Sequence, residues 1–246
     1  MPCPTANVFG PHVYASSAYS AVRASCVENA GSKRKSPRRN VGPFWQFFCP
    51  KAGDVIRLRG DLRYYLAILL EADPWYENLG IPSIRVRARF GRRWITATPD
   101  LSARARDGQQ HFFVAVYREQ LTGPRRVENV VRRVEALTAW ADATGARFAV
   151  SCDTQIWRCP QFLSNWAHVV RMLDRSRALA DRELGVLMCR AAVKLGPSTI
   201  QRLSAEFSGE DPAKVMATLL GELHGGRLQA DMSSARFSHH TIVSAP

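Results

Sequence analysis

The sequence predicts a mixed α/β domain followed by a helical unit. Three observations carry this expectation: a strictly alternating run at 84–90, a long amphipathic stretch at 125–143 set between two apolar strands, and mostly helical periodicity beyond Pro160. With 246 residues, 46% of them hydrophobic, the chain can bury a sizeable core in one or two domains.

The elements follow in order. Residues 1–43, rich in Ser, Ala, Pro and Gly, read as a flexible basic arm bearing Lys33, Arg34, Lys35, Arg38 and Arg39. Asp61 to Ala72 reads as a helix, with Leu62, Leu66, Leu69 and Leu70 on one face and Asp73-Pro74 as its stop. In the run Ile84 to Phe90, period two puts Arg85, Arg87 and Arg89 on one side of a half-buried strand. Gly91-Arg92-Arg93 then turns into a partner strand from Trp94 to Ala97. A third strand starts near Asp100, and Asp107-Gly108 makes the hairpin turn into Phe112 to Tyr117. The helix at 125–143 ends at Gly145, and Phe148 to Val150 returns as a strand.

Beyond Cys159-Pro160, helices are expected at Phe162 to Leu173, Asp181 to Leu195, Ser198 to Phe207 and from Asp211 to the Gly225-Gly226 break. Short strands at Arg227 to Ala230 and Thr241 to Val243 would form a wing. Three helices with a small hairpin make a winged-helix C-terminal domain, a pattern as common in protein docking as in DNA reading. The expected division is therefore a basic arm at 1–43, an α/β domain at 44–173 and a winged-helix-like domain at 174–246.

The net charge is +13, and its placement is uneven. The first 150 residues carry 23 basic and 12 acidic side chains, against 11 and 9 in the remainder. Arg far outnumbers Lys, which suits bidentate phosphate contacts, so the excess points to a polyanionic partner such as double-stranded DNA. The Arg85, Arg87 and Arg89 row, extended by Arg92 and Arg93, is either a solvated sheet face or a positive face laid beside DNA. No apolar run reaches the ~18 residues of a membrane span. The N-terminus lacks the charged start and apolar stretch of a signal peptide, so a cytoplasmic, nucleoid-associated protein with no membrane partner is expected.

Several constellations have a bland reading. The six cysteines form no CxxC pair and read as reduced thiols. His239-His240 read as a polar tail. Ser151-Cys152-Asp153 follow a strand but lack the GxSxG turn of a hydrolase nucleophile. Trp140, Trp157 and Trp166 read as core residues rather than base-stacking platforms.

The chemistry rests on Ile95-Thr96-Ala97-Thr98-Pro99-Asp100 and the strand at 112–117, which have the layout of a two-metal nuclease core. Such a core needs an acid on a helix and an Asp opening a hairpin strand. It also needs a Glu or Gln two residues before a Lys on the next strand, so that period two aims both at the scissile phosphate. Residues 55–173 resemble the TnsA-type endonuclease subunit of heteromeric cut-and-paste transposases. The resemblance is an ordered series: Leu69-Leu70-Glu71-Ala72-Asp73-Pro74, Thr98-Pro99-Asp100, Asp107-Gly108, Gly145 to Val150, Ile156-Trp157-Arg158 and Phe162-Leu163-Ser164-Asn165-Trp166. It implies a restriction-endonuclease-like mixed sheet with flanking helices, magnesium as cofactor only if the site is active, and as partners transposon-end DNA, the transposase catalytic subunit and an AAA+ regulator.

The active positions depart from that family. Asp100 is retained, but Arg63 stands ten residues before Asp73 where the family's helix carries a Glu. Ala115 and Tyr117 stand where it has Glu or Gln and then Lys. One aspartate cannot clamp two magnesium ions, and each lost charge-stabilising group costs about a hundredfold to a thousandfold. The expectation is a TnsA-like DNA-binding transposition protein with an inactive nuclease site that scaffolds transposase assembly. The alternative is an active metal-dependent endonuclease cutting transposon 5′ ends, in which Glu119, on the strand face of Ala115 and Tyr117, rescues the metal site beside Asp100.

Overall fold

The computed structural model describes residues 42–90 and 92–246, together with the backbone of one short strand in the N-terminal segment. That strand, β1 (Ala24–Val27), is followed by the hairpin β2 (Phe44–Cys49) and β3 (Asp54–Arg59). Helix α1 (Asp61–Ala72) comes next, then β4 (Tyr76–Gly80), β5 (Arg85–Phe90), β6 (Arg93–Ala97), β7 (Leu101–Ala105) and β8 (Gln110–Val116). A single turn, α2 (Arg118–Leu121), precedes the long α3 (Glu128–Thr144), β9 (Arg147–Cys152) and the short α4 (Asp153–Ile156). The remainder is α5 (Pro160–Ser176), α6 (Arg182–Leu195), β10 (Ser198–Thr199), α7 (Ile200–Ala205), α8 (Pro212–His224), β11 (Gln229–Ala230) and β12 (Ile242–Ser244).

The architecture is mixed α/β, as the periodicities predict. One sheet has the order β4-β7-β8-β9, antiparallel except for the parallel β8–β9 pair, which α3 connects. A second sheet, β1-β5-β6, packs against the same helix. Strand β8 is buried on both sides, so it reads as an apolar run rather than an alternation. Phe112, Val114 and Val116 join Leu137 and Trp140 of α3 in one core, while Phe113 and Ala115 face a larger core beneath α1. Each large side chain so buried contributes roughly 1.5–3 kcal/mol.

The helix ends are set by local chemistry. Asp73, extended because Pro74 follows, ends α1, and Gly145 closes α3 with φ 70°. The Asp181 carboxylate caps α6 by accepting from the Glu183 and Leu184 amides, and Asp211 caps α8 ahead of Pro212.

Four features differ from the sequence expectation. The Phe44–Cys49 run, apolar except for Gln46, is a strand paired with β3, although apolar side chains on both of its faces hide the period. Strand β4 carries only two apolar residues, too few for a pattern. The β8 strand stops at Val116, so Tyr117 is the N-cap of α2 and residues 118–121 are helical. Within the expected arm, Ala24–Val27 pairs antiparallel with β5, whereas Lys33, Arg34, Lys35, Arg38 and Arg39 lie outside the described residues.

In the last third, β10, β12 and β11 form a three-stranded antiparallel sheet beside α6, α7 and α8. This part shares one continuous core with the α/β part, in which Leu66 and Leu70 of α1 belong to the same buried cluster as Val169 of α5, Leu219 of α8 and Val243 of β12.

Candidate functional site

Asp100 sits where β7 begins and the β7–β8 ladder ends. Its amide donates to the Phe113 carbonyl at 2.7 Å, and its Oδ2 accepts the Ala115 amide at 2.9 Å. The carboxylate therefore completes the hydrogen bonding of β8 one step past the last ladder pair. Its other oxygen, Oδ1, meets two guanidinium groups: Arg63 Nε from α1 at 2.7 Å and Arg133 Nη2 from α3 at 2.7 Å. Arg133 also donates to the Thr98 carbonyl from Nη2 at 2.6 Å and from Nε at 3.2 Å. Arg63 Nη1 reaches the Arg59 carbonyl at 3.2 Å.

The Asp100 side chain is only 5% exposed, and the two arginines are 33% and 22% exposed. A carboxylate this buried needs charge partners, and here it has two cations, so the triad is net positive. That sign opposes a divalent cation. A magnesium ion at Oδ1 would have to displace both guanidiniums and then sit among them.

The other positions expected to complete a metal site supply no ligand. Ala115 is buried and has no side-chain heteroatom. Tyr117 packs edge-on against Trp157, with ring centroids 6.0 Å apart. Glu119 is not on the strand face assigned to it: it lies on α2 and pairs with Arg125 at 3.0 Å. The remaining acids of the region are engaged elsewhere. Asp61 accepts from Trp45 Nε1 at 2.8 Å, and the fully buried Glu71 holds the Cys49 thiol, the Lys51 amide and His224 Nε2. Among the described residues no three His, Cys, Asp or Glu side chains are grouped to hold a metal ion. The residues present do not fit a pair of magnesium ions.

Two participants were not legible in the sequence. Arg133 lies 33 positions from Asp100 on a different helix, and only the tertiary fold brings it in. Ser151, in register with Ala115 on the neighbouring strand, has a buried hydroxyl without a hydrogen-bond partner.

The arginine row stands as the alternation predicts. Arg85, Arg87 and Arg89 are exposed on β5 while Val86 and Ala88 are fully buried over α3. Arg87 lies over the Trp94 ring at 5.2 Å, and Trp94 is itself 54% exposed. Arg92 and Arg93 are exposed at the turn between β5 and β6. One sheet face thus presents cations and an aromatic plane together.

Of the remaining constellations, Cys49, Cys152, Cys159 and Cys189 are free thiols. Burial raises the Cys152 thiol, with Asp153 adding to the effect, and Asp153 accepts the Arg118 amide at 2.8 Å. Trp140 and Trp166 are core residues, whereas Trp157 is 38% exposed, contrary to its expected burial. Asn165, part of the Phe162–Trp166 series, is a buried tie: its amide nitrogen donates to the Met232 and Ala235 carbonyls and its oxygen accepts the Phe237 amide.

No protein-family model and no curated protein sequence matches the chain. Among solved structures, that of protein VC1899 from Vibrio cholerae matches with 11% identity over 44% of this chain, at a TM-score of 0.19. The match spans 31% of the Vibrio protein's length. No helix of the described residues is long and apolar enough to cross a membrane.

Proposed function

We propose that the protein is a TnsA-like, DNA-binding transposition protein whose nuclease site is inactive and which scaffolds assembly of the transposase. The observation that carries this reading is the Asp100 carboxylate held between Arg63 and Arg133. In a restriction-endonuclease-like fold that carboxylate would bind metal. Here guanidiniums stand in the place of the cations, so the site holds its positive charge permanently and has no activated water to deliver. The order α1, β4, β7, β8, α3, β9, with β8 and β9 parallel across α3, supports such a fold. The helices α6, α7 and α8 with the β10-β12-β11 sheet support a winged-helix C-terminal domain, the expected place for an AAA+ regulator to dock.

DNA binding draws on the exposed Arg85, Arg87, Arg89, Arg92 and Arg93 beside Trp94, and on the basic cluster at 33–39 in the N-terminal segment. Lost acids and added arginine lower the repulsion of backbone phosphates, so duplex DNA, transposon ends in particular, is the proposed partner. Magnesium or manganese is not required in this reading.

The test is a cleavage assay with magnesium or manganese on supercoiled DNA and on duplexes carrying transposon ends. Binding without cleavage is expected, with affinity falling steeply between about 50 and 200 mM salt. Metal-dependent nicking that disappears in Asp100→Asn would overturn the reading in favour of an active endonuclease. Negligible DNA affinity at any salt would leave only a protein-docking module.

A further inference from the structure

Away from Asp100, the outer face of α5 forms one wall of a cleft whose other wall is the loop at 231–241. The cleft encloses about 330 Å3 and is lined by Gln161, Ser164, Asn165, His168, Arg171, Arg236 and Phe237. Spacings of three and four residues place Gln161, Ser164, His168 and Arg171 along one stripe of the helix. Arg236 closes the cleft from the loop. We propose that this cleft is a binding site for a phosphate group, built independently of the Asp100 site and of any role in transposition.

Three observations support it. First, the cleft is cationic and lacks a counter-charge: no carboxylate among the described residues forms an ion pair with His168, Arg171 or Arg236. Second, the donors are uncommitted. Arg171 uses Nε on the Ala167 carbonyl at 3.1 Å, which fixes its plane and leaves its terminal nitrogens for a ligand. Third, the cleft is preorganised by a buried group. Asn165, 2% exposed, binds the Met232 and Ala235 carbonyls at 2.9 and 2.7 Å and the Phe237 amide at 2.9 Å, so the loop carrying Arg236 is pinned to α5. Gln161 in turn steadies Asn165 through a 3.1 Å hydrogen bond.

The imidazole adds a signature. Burial chiefly, then the charges of Arg171 on its own helix and Arg236 from the loop, holds the His168 pKa below its ordinary value of 6.5. A phosphate seated between the two guanidiniums reverses that field, so binding draws a proton onto the ring. Two sources share this chemistry: the backbone of duplex DNA and a free phosphorylated small molecule.

The experiment follows the histidine C2–H signals of the full chain by NMR, with the His168 signal assigned through His168→Gln. Titration with inorganic pyrophosphate should move that signal saturably at millimolar concentration or below and raise the ring's apparent pKa. In Arg236→Ala, whose side chain is exposed and forms no ion pair among the described residues, affinity should fall by about tenfold, the loss of one charge-assisted partner, with unchanged thermal stability. An immobile His168 signal, or equal affinity in wild type and Arg236→Ala, would overturn the proposal. A short duplex supplies the second arm. If it moves the same signal and Arg236→Ala lowers the salt slope by about one, the phosphate belongs to DNA. If pyrophosphate moves the signal and the duplex does not, the site serves a free phosphorylated ligand.

Discussion

At the scale of single residues, Asp100 shows how two guanidiniums can commit a buried carboxylate to a structural role. Its carboxylate is nearly inaccessible, so its charge is tolerable only because Arg63 and Arg133 converge on one oxygen while the Ala115 amide occupies the other. A metal-binding aspartate keeps its oxygens available, whereas both oxygens of this one are engaged in joining α1, α3 and the β7–β8 hairpin. The two arginines contribute unequally. Arg63 adds one ion pair and a single 3.2 Å bond to the Arg59 carbonyl, while Arg133 gives the Thr98 carbonyl two donors besides its ion pair. Asp100→Ala should therefore destabilise the protein by about 3 kcal/mol, because it strands two partly buried cations and an amide. Arg63→Met should cost at most about 1 kcal/mol, since Arg133 still neutralises the aspartate. Urea unfolding of the two variants separates these magnitudes, and equal costs would show that the joint is not centred on Asp100. The sequence singled out Asp100 and Arg63 by their places in an ordered motif series, without predicting that they pair. It could not reveal Arg133, whose partnership depends on how α3 crosses the sheet rather than on any spacing along the chain.

At the scale of elements, legibility follows from whether one face of a strand meets solvent. The run at 84–90 was readable because Val86 and Ala88 are buried against α3 while the alternate arginines are exposed, which gives a clean period of two. The β2 strand carries apolar residues on both faces, broken only by Gln46, and β4 has only Tyr76 and Leu79, so neither offers a period to read. The error over Glu119 has a similar origin. Extending the alternation of β8 by three residues assumes that the strand continues, but the chain turns helical at Arg118 and carries Glu119 to Arg125. The β5–β6 face is also the element best placed to meet a polyanion, because its cations stand on a rigid sheet instead of a loop. Arg85→Ala with Arg87→Ala, two positions on the same exposed face, should weaken binding to duplex DNA uniformly across sequences. The slope of log affinity against log salt should fall by about two, one unit for each phosphate contact removed. Both side chains are exposed, so thermal stability should change little. An unaltered salt slope would reassign this row to a solvated surface.

At the scale of the whole molecule, the chain behaves as one core with two architectures built on it. Helix α5 packs against both α1 and α8, so it belongs equally to the α/β part and to the helical part. Polar contacts follow the same junction. His224, at the end of α8, places Nε2 2.7 Å from Glu71 Oε2, and the Glu71 carboxylate, fully buried on α1, also accepts from Cys49 and the Lys51 amide. Nearby, the turn after α8 runs against the end of α1: a Cβ at Gly226 would stand 2.5 Å from Pro74, and Arg106 donates to the Gly225 carbonyl at 3.1 Å. Burying a carboxylate at this seam makes sense only if the two parts stay together, since separation would expose the apolar faces of α1, α5 and α8 at once. His224→Ala removes the partner of one Glu71 oxygen and should cost about 2 kcal/mol, the penalty of leaving a buried acceptor unpaired. Because the seam belongs to both parts, the loss should shift the entire unfolding curve. Tryptophan fluorescence, whose six reporters all lie between Trp45 and Trp166 and therefore before α6, and helical circular dichroism, which also reports α6 to α8, should move together through one transition. If His224→Ala split the curve, so that the helical signal melted first, the C-terminal part would be a separate domain docked through a dispensable contact. Coincident transitions with a common shift would instead mean that any partner gripping α6 to α8 also stabilises both the sheet next to Asp100 and the separate sheet of the arginine row.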